Sequence, residues 1–218
     1  MCRNNRLSAV AGILLLNGCA SFGVSGDFQS GRQALLTNRE EQALGYFQSA
    51  AEKDPNYVFV YDLFREGIWT YLGRVQYHVG RYEQARQSLE RALSVDRNDY
   101  LARLYLGLTL ARLETSPQAL KEIQGGLQGT YDFLQYMESI RPYTAFWDPL
   151  RQIRSEIKND LDMISGKDID WPKLIDSAEW VGRQMEEEVE RVKRDEDLRL
   201  RRRDFPPAGG GIGIGIGF

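Results

Sequence analysis

The sequence predicts an all-α fold: a short solenoid of paired helices, then C-terminal capping helices, a long charged C-terminal helix and a Gly-rich tail. Three observations point there. Glycine, alanine and aromatic positions recur at a step typical of helical-hairpin repeats. Apolar residues fall three and four apart through most of the second half, which is the period of a helix face. Cysteine is confined to Cys2 and Cys19, so no disulfide framework stands in for a packed core.

Residues 1–18 read as a signal peptide. Arg3 and Arg6 precede an apolar run from Leu7 to Leu16, interrupted only by Ser8. A bilayer-spanning helix needs roughly 20 such residues, so the run suits a cleaved secretory signal better than a permanent span. It ends in Leu16-Asn17-Gly18-Cys19, which resembles the lipobox of bacterial lipoproteins. That resemblance implies cleavage before Cys19, lipid on its thiol, and residues 19–26 as a lipidated tether. Asn17 is bulkier than the family pattern places there. Ala20, where an Asp commonly retains lipoproteins at the inner membrane, favours the outer membrane, with the domain facing the periplasm. Three acyl chains of the kind the resemblance implies would hold the protein far more firmly than one.

The whole chain carries 28 basic and 31 acidic residues, and loss of Arg3 and Arg6 leaves a formal net charge of −5. Such a balance gives no general attraction for nucleic acid.

Residues 27–133 carry the repeat, in units 27–56, 66–99 and 100–133. The middle unit reads Trp69-x-x-Leu72-Gly73, Gly80-Arg81-Tyr82-Glu83-Gln84-Ala85, Leu89, Ala92. A step of 34 residues carries Leu72-Gly73 to Leu106-Gly107 and Ala85 to Ala119, and a step of 42 back from Ala85 reaches Ala43, with Gly31, Phe47, Ala50 and Pro55 around it. The longer step leaves about eight extra residues around Tyr57 to Arg65. The pattern resembles the tetratricopeptide repeat. That resemblance implies two antiparallel helices per unit, stacked so that each pair buries its stripe on the next, with turns at Gly80 and Asn98.

The same resemblance implies a function. Tetratricopeptide repeats take extended peptides or partner helices on a concave face lined by the first helix of each unit. The groove candidates are Phe28, Arg32, Thr70, Arg74, Tyr77, His78, Leu104, Leu108 and Arg112. Chaperone-binding members clamp a terminal carboxylate with basic and Asn side chains. Phe28, Tyr71, Leu101 and Tyr105 stand where most of that clamp would lie, so the clamp is not expected here.

Capping helices are expected over 134–166. Tyr131, Phe133, Leu134, Tyr136, Met137 and Ile140 form an apolar face that stops at Arg141-Pro142. Asp148 and Pro149 look like an N-cap and a first helical residue. Leu150, Ile153, Ile157, Leu161 and Ile164 then recur helically up to Gly166. The aromatics Tyr131, Phe133, Tyr136, Tyr143, Phe146 and Trp147 read as a packed cap, with a ligand slot as the alternative. A last helix is expected over 171–204, with Leu174, Ala178, Val181, Met185, Val189 and Val192 spaced like a coiled-coil seam. Its charged runs, among them Glu186-Glu187-Glu188 and Asp195-Glu196-Asp197, read as solvated surface. Glu187–Arg191 and Glu190–Arg194 read as i, i+4 pairs.

The tail, 205–218, alternates glycine with Ile212, Ile214, Ile216 and Phe218, which places those four side chains on one side of an extended strand. It follows no strand and opens no helix, so it is no phosphate loop. Added to the edge of a partner's sheet, it would act as a partner strand.

With His78 as the only histidine and Cys19 taken by lipid, the chain offers no nucleophile–base pair and no zinc cluster. No cofactor, metal or enzymatic activity is expected. The expected function is a protein-binding scaffold or adaptor, lipid-anchored in the bacterial envelope. The alternatives are an assembly or secretion factor of pilotin or barrel-biogenesis type, and a structural lipoprotein that pairs with copies of itself through the long helix.

Overall fold

A computed structural model describes residues 16–140, 147–166 and 168–204. Among these lie eight helices and one β-hairpin: α1 (Leu16–Leu36), α2 (Glu40–Lys53), β1 (Val58–Tyr61), β2 (Phe64–Gly67), α3 (Ile68–His78), α4 (Tyr82–Val95), α5 (Tyr100–Leu113), α6 (Pro117–Ile140), α7 (Gln152–Ile164) and α8 (Trp171–Asp204). The fold is an all-α solenoid of tetratricopeptide type. No described helix is long and apolar enough to cross a membrane. The tail residues Ile212, Ile214, Ile216 and Phe218 lie outside the described residues, as do Tyr143, Phe146 and most of the apolar run that precedes Cys19.

The three units are α1/α2, α3/α4 and α5/α6, and the recurring glycines explain their geometry. A Cβ on Gly31 would sit 2.6 Å from Phe47, one on Gly73 2.5 Å from Leu89, and one on Gly107 2.4 Å from the Ile123 backbone. In each unit the first helix thus presents a bare backbone to the large residue of the second, so the pair can approach closely. Ala43, Ala85 and Ala119 are fully buried at the matching position of the second helices. Ala85→Leu should overpack this contact and cost about 1–3 kcal/mol. The check is the urea midpoint; an unchanged midpoint would remove Ala85 from the inter-helix contact.

Turns fall where local chemistry permits them. Gly80 adopts φ +76° between α3 and α4, a conformation that strains any residue with a Cβ. Asp99 caps α5 by accepting from the Ala102 N–H at 2.8 Å, and Ser116 Oγ accepts from the Ala119 N–H at 3.2 Å as α6 begins.

Four expectations need correction. Where the sequence pointed to helices alone, the extra residues after the first unit form the antiparallel hairpin β1–β2, with Tyr61 paired to Phe64 across the turn. The run Val58-Phe59-Val60-Tyr61 has the β-branched and aromatic character of a strand. Its inner face is buried: Phe59 stacks on Phe28 at 5.4 Å and Phe64 on Trp147 at 6.1 Å. Second, the boundary at 133/134 falls inside α6. Gly125, Gly126 and Gly129 do not break this helix because they face α5 closely; a Cβ on Gly126 would lie 2.5 Å from the Leu104 backbone. Third, α7 begins at Gln152 rather than Pro149, and Leu150 is 77% exposed. Asp148 still caps it, from φ 50°, its carboxylate accepting from the Ile153 and Arg154 N–H groups at 3.1 and 3.0 Å. Fourth, α1 is helical from Leu16 and Val24 is buried, so the packed domain starts ahead of residue 27, inside the segment expected to be tether.

Of the aromatic cap expected from the sequence, Phe133 and Trp147 are packed, whereas Tyr136 is 56% exposed. Phe133 meets Trp147 edge-on at 5.1 Å, Phe64 of the hairpin edge-on at 6.0 Å, and stacks on Tyr100 of α5 at 5.5 Å, which ties α6 to the hairpin and to α5.

Candidate functional site

The first helices α1, α3 and α5 line one face of the solenoid, and α8 lies across that face. Its seam residues Leu174, Ala178, Val181, Met185, Val189 and Val192 are all buried. A Cβ on Gly182 would fall 2.6 Å from the Tyr105 hydroxyl oxygen, so α8 crosses α5 in close contact.

Polar contacts mark the path in order. Glu179 accepts from Arg112 Nη2 at 2.7 Å and from the Tyr77 hydroxyl, which itself accepts from Arg112 Nε at 3.0 Å. The Gly182 carbonyl accepts from Arg74 Nη2 at 3.4 Å. Glu186 takes Arg74 Nη1 at 3.2 Å and Arg32 Nε at 2.6 Å. Glu190 pairs with Arg32 Nη1 at 2.7 Å, and Glu196 accepts from the Tyr61 hydroxyl at 2.5 Å. Thus α8 runs from α5 over α3 and α1 to the hairpin.

At the centre sits a buried ionic cluster. Arg74 is bracketed by Glu66 at 2.7 Å and Glu186, and Arg32, Arg74, Glu66 and Glu186 are each 4% exposed or less at the side chain. Arg32 also lies over the Phe59 ring at 4.2 Å. Removing these charges from water is costly, and their mutual attraction offsets that only if the geometry is maintained. Burial raises the Glu66 carboxyl to about 7, against the opposing pull of Arg74 and with added repulsion from Glu186.

The groove candidates divide accordingly. Arg32, Arg74, Tyr77 and Arg112 converge on α8 through the bonds above. His78 is partly buried, within 3.3 Å of the Tyr105 hydroxyl, and burial together with Arg74 lowers its imidazole to about 4, so it is neutral at pH 7. Phe28 belongs instead to an aromatic cluster with Phe47, Phe59 and Tyr71, and Leu104 and Leu108 are fully buried. Thr70 turns to Asp99, its hydroxyl donating at 2.6 Å. Of the residues expected to line an open groove, Arg32, Arg74, Tyr77 and Arg112 are thus covered by the chain's own helix, and a pocket of about 190 Å³ remains beside Arg74, His78 and Glu186.

The reading of Glu186-Glu187-Glu188 as solvated surface also needs correction. Glu187 is exposed, but Glu186 is 3% and Glu188 8% exposed. Glu188 accepts from the Asp148 N–H and pairs with Arg191 at 2.6 Å, which ties α8 to the α7 cap. The i, i+4 pairing differs as well: Arg191 bonds Glu188 and Asp195, while Glu190 turns to Arg32 and Lys193.

No cluster of three or more His, Cys, Asp or Glu side chains suited to a metal ion occurs among the described residues. Paired helices stacked so that their first helices share one face define a helical-repeat fold. The model of the tetratricopeptide repeat matches residues 67–99, which span α3, α4 and the turn after them. No curated protein and no solved structure matches the chain. The repeat is a protein-interaction fold, and its family is generally non-catalytic.

Proposed function

We propose that this chain is a non-catalytic interaction scaffold, held in the bacterial envelope by lipid on Cys19, whose partner contact lies beyond the filled groove. The observation that carries this reading is α8 itself. The face that such repeats use for peptides is occupied in cis across α1, α3 and α5, and α8 leads out of it past the hairpin toward residues 205–218. The alternating Ile212, Ile214, Ile216 and Phe218 then become the segment offered to a partner's sheet edge. Self-pairing through the α8 seam is disfavoured, because Leu174 to Val192 would first have to leave their burial. An assembly or secretion role in the envelope fits the same arrangement.

Two variants test the reading. Cys19→Ser should move the protein to the soluble fraction or leave it unprocessed; a membrane-bound product of unchanged mass would refute the anchor. Deleting residues 209–218 should abolish partner capture in crosslinked pull-downs from membranes while the melting temperature stays the same. Capture of the same partners by the truncated chain would refute the tail as the contact.

A further inference from the structure

The β1–β2 hairpin is a sheet of two strands, so among the described residues each strand has one edge without a neighbour. The pairing fixes which groups lie on those edges. The Ile68 N–H donates to the Tyr57 carbonyl at 2.9 Å, one step ahead of the Val58–Gly67 pair. Hydrogen-bonded and non-hydrogen-bonded pairs alternate along an antiparallel ladder. Phe59 and Tyr61 therefore bond to β2, whereas the N–H and C=O groups of Val58 and Val60 point away from it. No hydrogen bond among the described residues reaches these groups. An edge of this kind is a template for another strand, and a lysine, a proline or a bulge usually guards it. Residues 58–61 contain none of the three.

The two edges differ. Side chains alternate in step with the pairing, so the outer face of β1 carries Val58 and Val60, 38% and 52% exposed, while that of β2 carries Arg65 and Gly67. Only β1 offers an uncharged edge with β-branched side chains beside it.

We propose that residues 212–218 of the same chain dock along β1 as a third strand, their isoleucines beside Val58 and Val60. Reach, phase and bulk select this occupant. Glu196 accepts from the Tyr61 hydroxyl, so α8 passes the end of β1. From Glu196 to Asp204 the helix rises about 12 Å. Residues 205–211, extended, span up to about 25 Å, which is enough to bring Ile212 back to β1. A residue opposite Val60 shares its outer face, so isoleucines meet valines across the strands, a pairing suited to sheets. The alternating glycines then fall on the inner face beside Phe59, which is buried against Phe28. A strand with no side chains on that face can lie close to the domain. Ordering glycine is costly, so the strand is weakly held, and its tether supplies the effective concentration that seats it. This goes beyond the partner contact proposed above: β1 is where the segment rests when no partner holds it.

Hydrogen exchange of the full-length chain in detergent, compared with a chain lacking 209–218, tests the docking. The Val58 and Val60 amides should exchange about tenfold more slowly when the segment is present, because each gains an acceptor. The Arg65 amide, on the opposite edge, should be unchanged. Ile214→Asp should abolish the difference by placing a charge in the apolar stripe. Val60→Pro should abolish it at Val58, since proline removes an outward donor and is tolerated on an edge strand; the bonds of Phe59 and Tyr61 to β2 remain. Equal rates at Val58 and Val60 in the full and truncated chains would overturn the proposal. Protection that survives Ile214→Asp would overturn it too, whether or not Val60→Pro folds. Protection lost on about tenfold dilution would assign the strand to a second copy instead, because docking within one chain is independent of concentration. Partner capture is a separate readout: equal exchange rates together with capture lost on truncation would remove the docking and leave the partner contact standing.

Discussion

Replacing Arg74 with methionine is expected to cost the fold about 3–5 kcal/mol, because it strips the shared cation from two buried carboxylates. Glu66 and Glu186 would then face each other with only Arg32, on the far side of Glu186, in attendance. A loss of that size is a large share of a typical domain's stability, and the urea midpoint would report it directly. The loss should also depend on pH. The unfolded Glu66 carboxyl titrates near 4.5, and the folded one is raised to about 7 by burial. Between those values the folded state holds a proton that the unfolded state has released. Stability from this group is therefore full below pH 4.5 and falls as pH rises through 7. Without Arg74 the folded carboxyl should rise further, at about 1.4 kcal/mol per pKa unit. The deficit of Arg74→Met should then be larger at pH 8 than at pH 5. Combining it with Glu66→Gln and Glu186→Gln should recover much of the loss, since buried networks replaced as a whole are tolerated far better than networks broken at one member.

Gly182→Leu should damage the packing of α8 on α5. Even its first carbon meets the Tyr105 ring and hydroxyl within 2.6–2.8 Å. The helix cannot drift aside to relieve the contact, because Glu179 is bonded to Arg112 on one side and Glu186 to Arg74 and Arg32 on the other. Overpacking costs are typically about 1–3 kcal/mol, and the upper end is expected here. Gly182→Ala should be milder, since it places a single carbon against Tyr105 where leucine adds three more, while both regain most of about 1 kcal/mol of helix propensity over glycine. Chemical denaturation distinguishes the two. Wild-type stability in Gly182→Leu would place α8 farther from α5 than the structure does.

Much of the fold was legible because each repeat position has a stereochemical task. Gly31, Gly73 and Gly107 recur because a large residue from the second helix seats against each backbone. The α8 seam was equally visible as a period, but a period carries no address: the same stripe suits a second copy, a partner or the chain's own solenoid. Glu186 was misread for that reason. Its run looks like solvated surface, and what buries it is Arg32 and Arg74, which lie 154 and 112 positions away. A clue was present, for both arginines directly follow the repeat glycine, at Gly31-Arg32 and Gly73-Arg74. Two cations at the equivalent place in successive units call for acidic company on the same face. The hairpin was missed because Val58 to Gly67 was counted only as an excess of length, although its β-branched and aromatic content already favoured strands.

The central claim is that α8 closes the groove as an integral part of the fold, and native-state hydrogen exchange tests it most directly. Amides of α8 from Leu174 to Val192, where the seam is buried, should exchange only through global unfolding and match the slowest amides of α3 and α5. Those from Leu198 to Arg201, where the side chains are exposed, should exchange far faster. If the amides from 174 to 192 exchange as freely as those of an isolated helix while α3 and α5 stay protected, the groove is open in solution and the account of α8 is wrong.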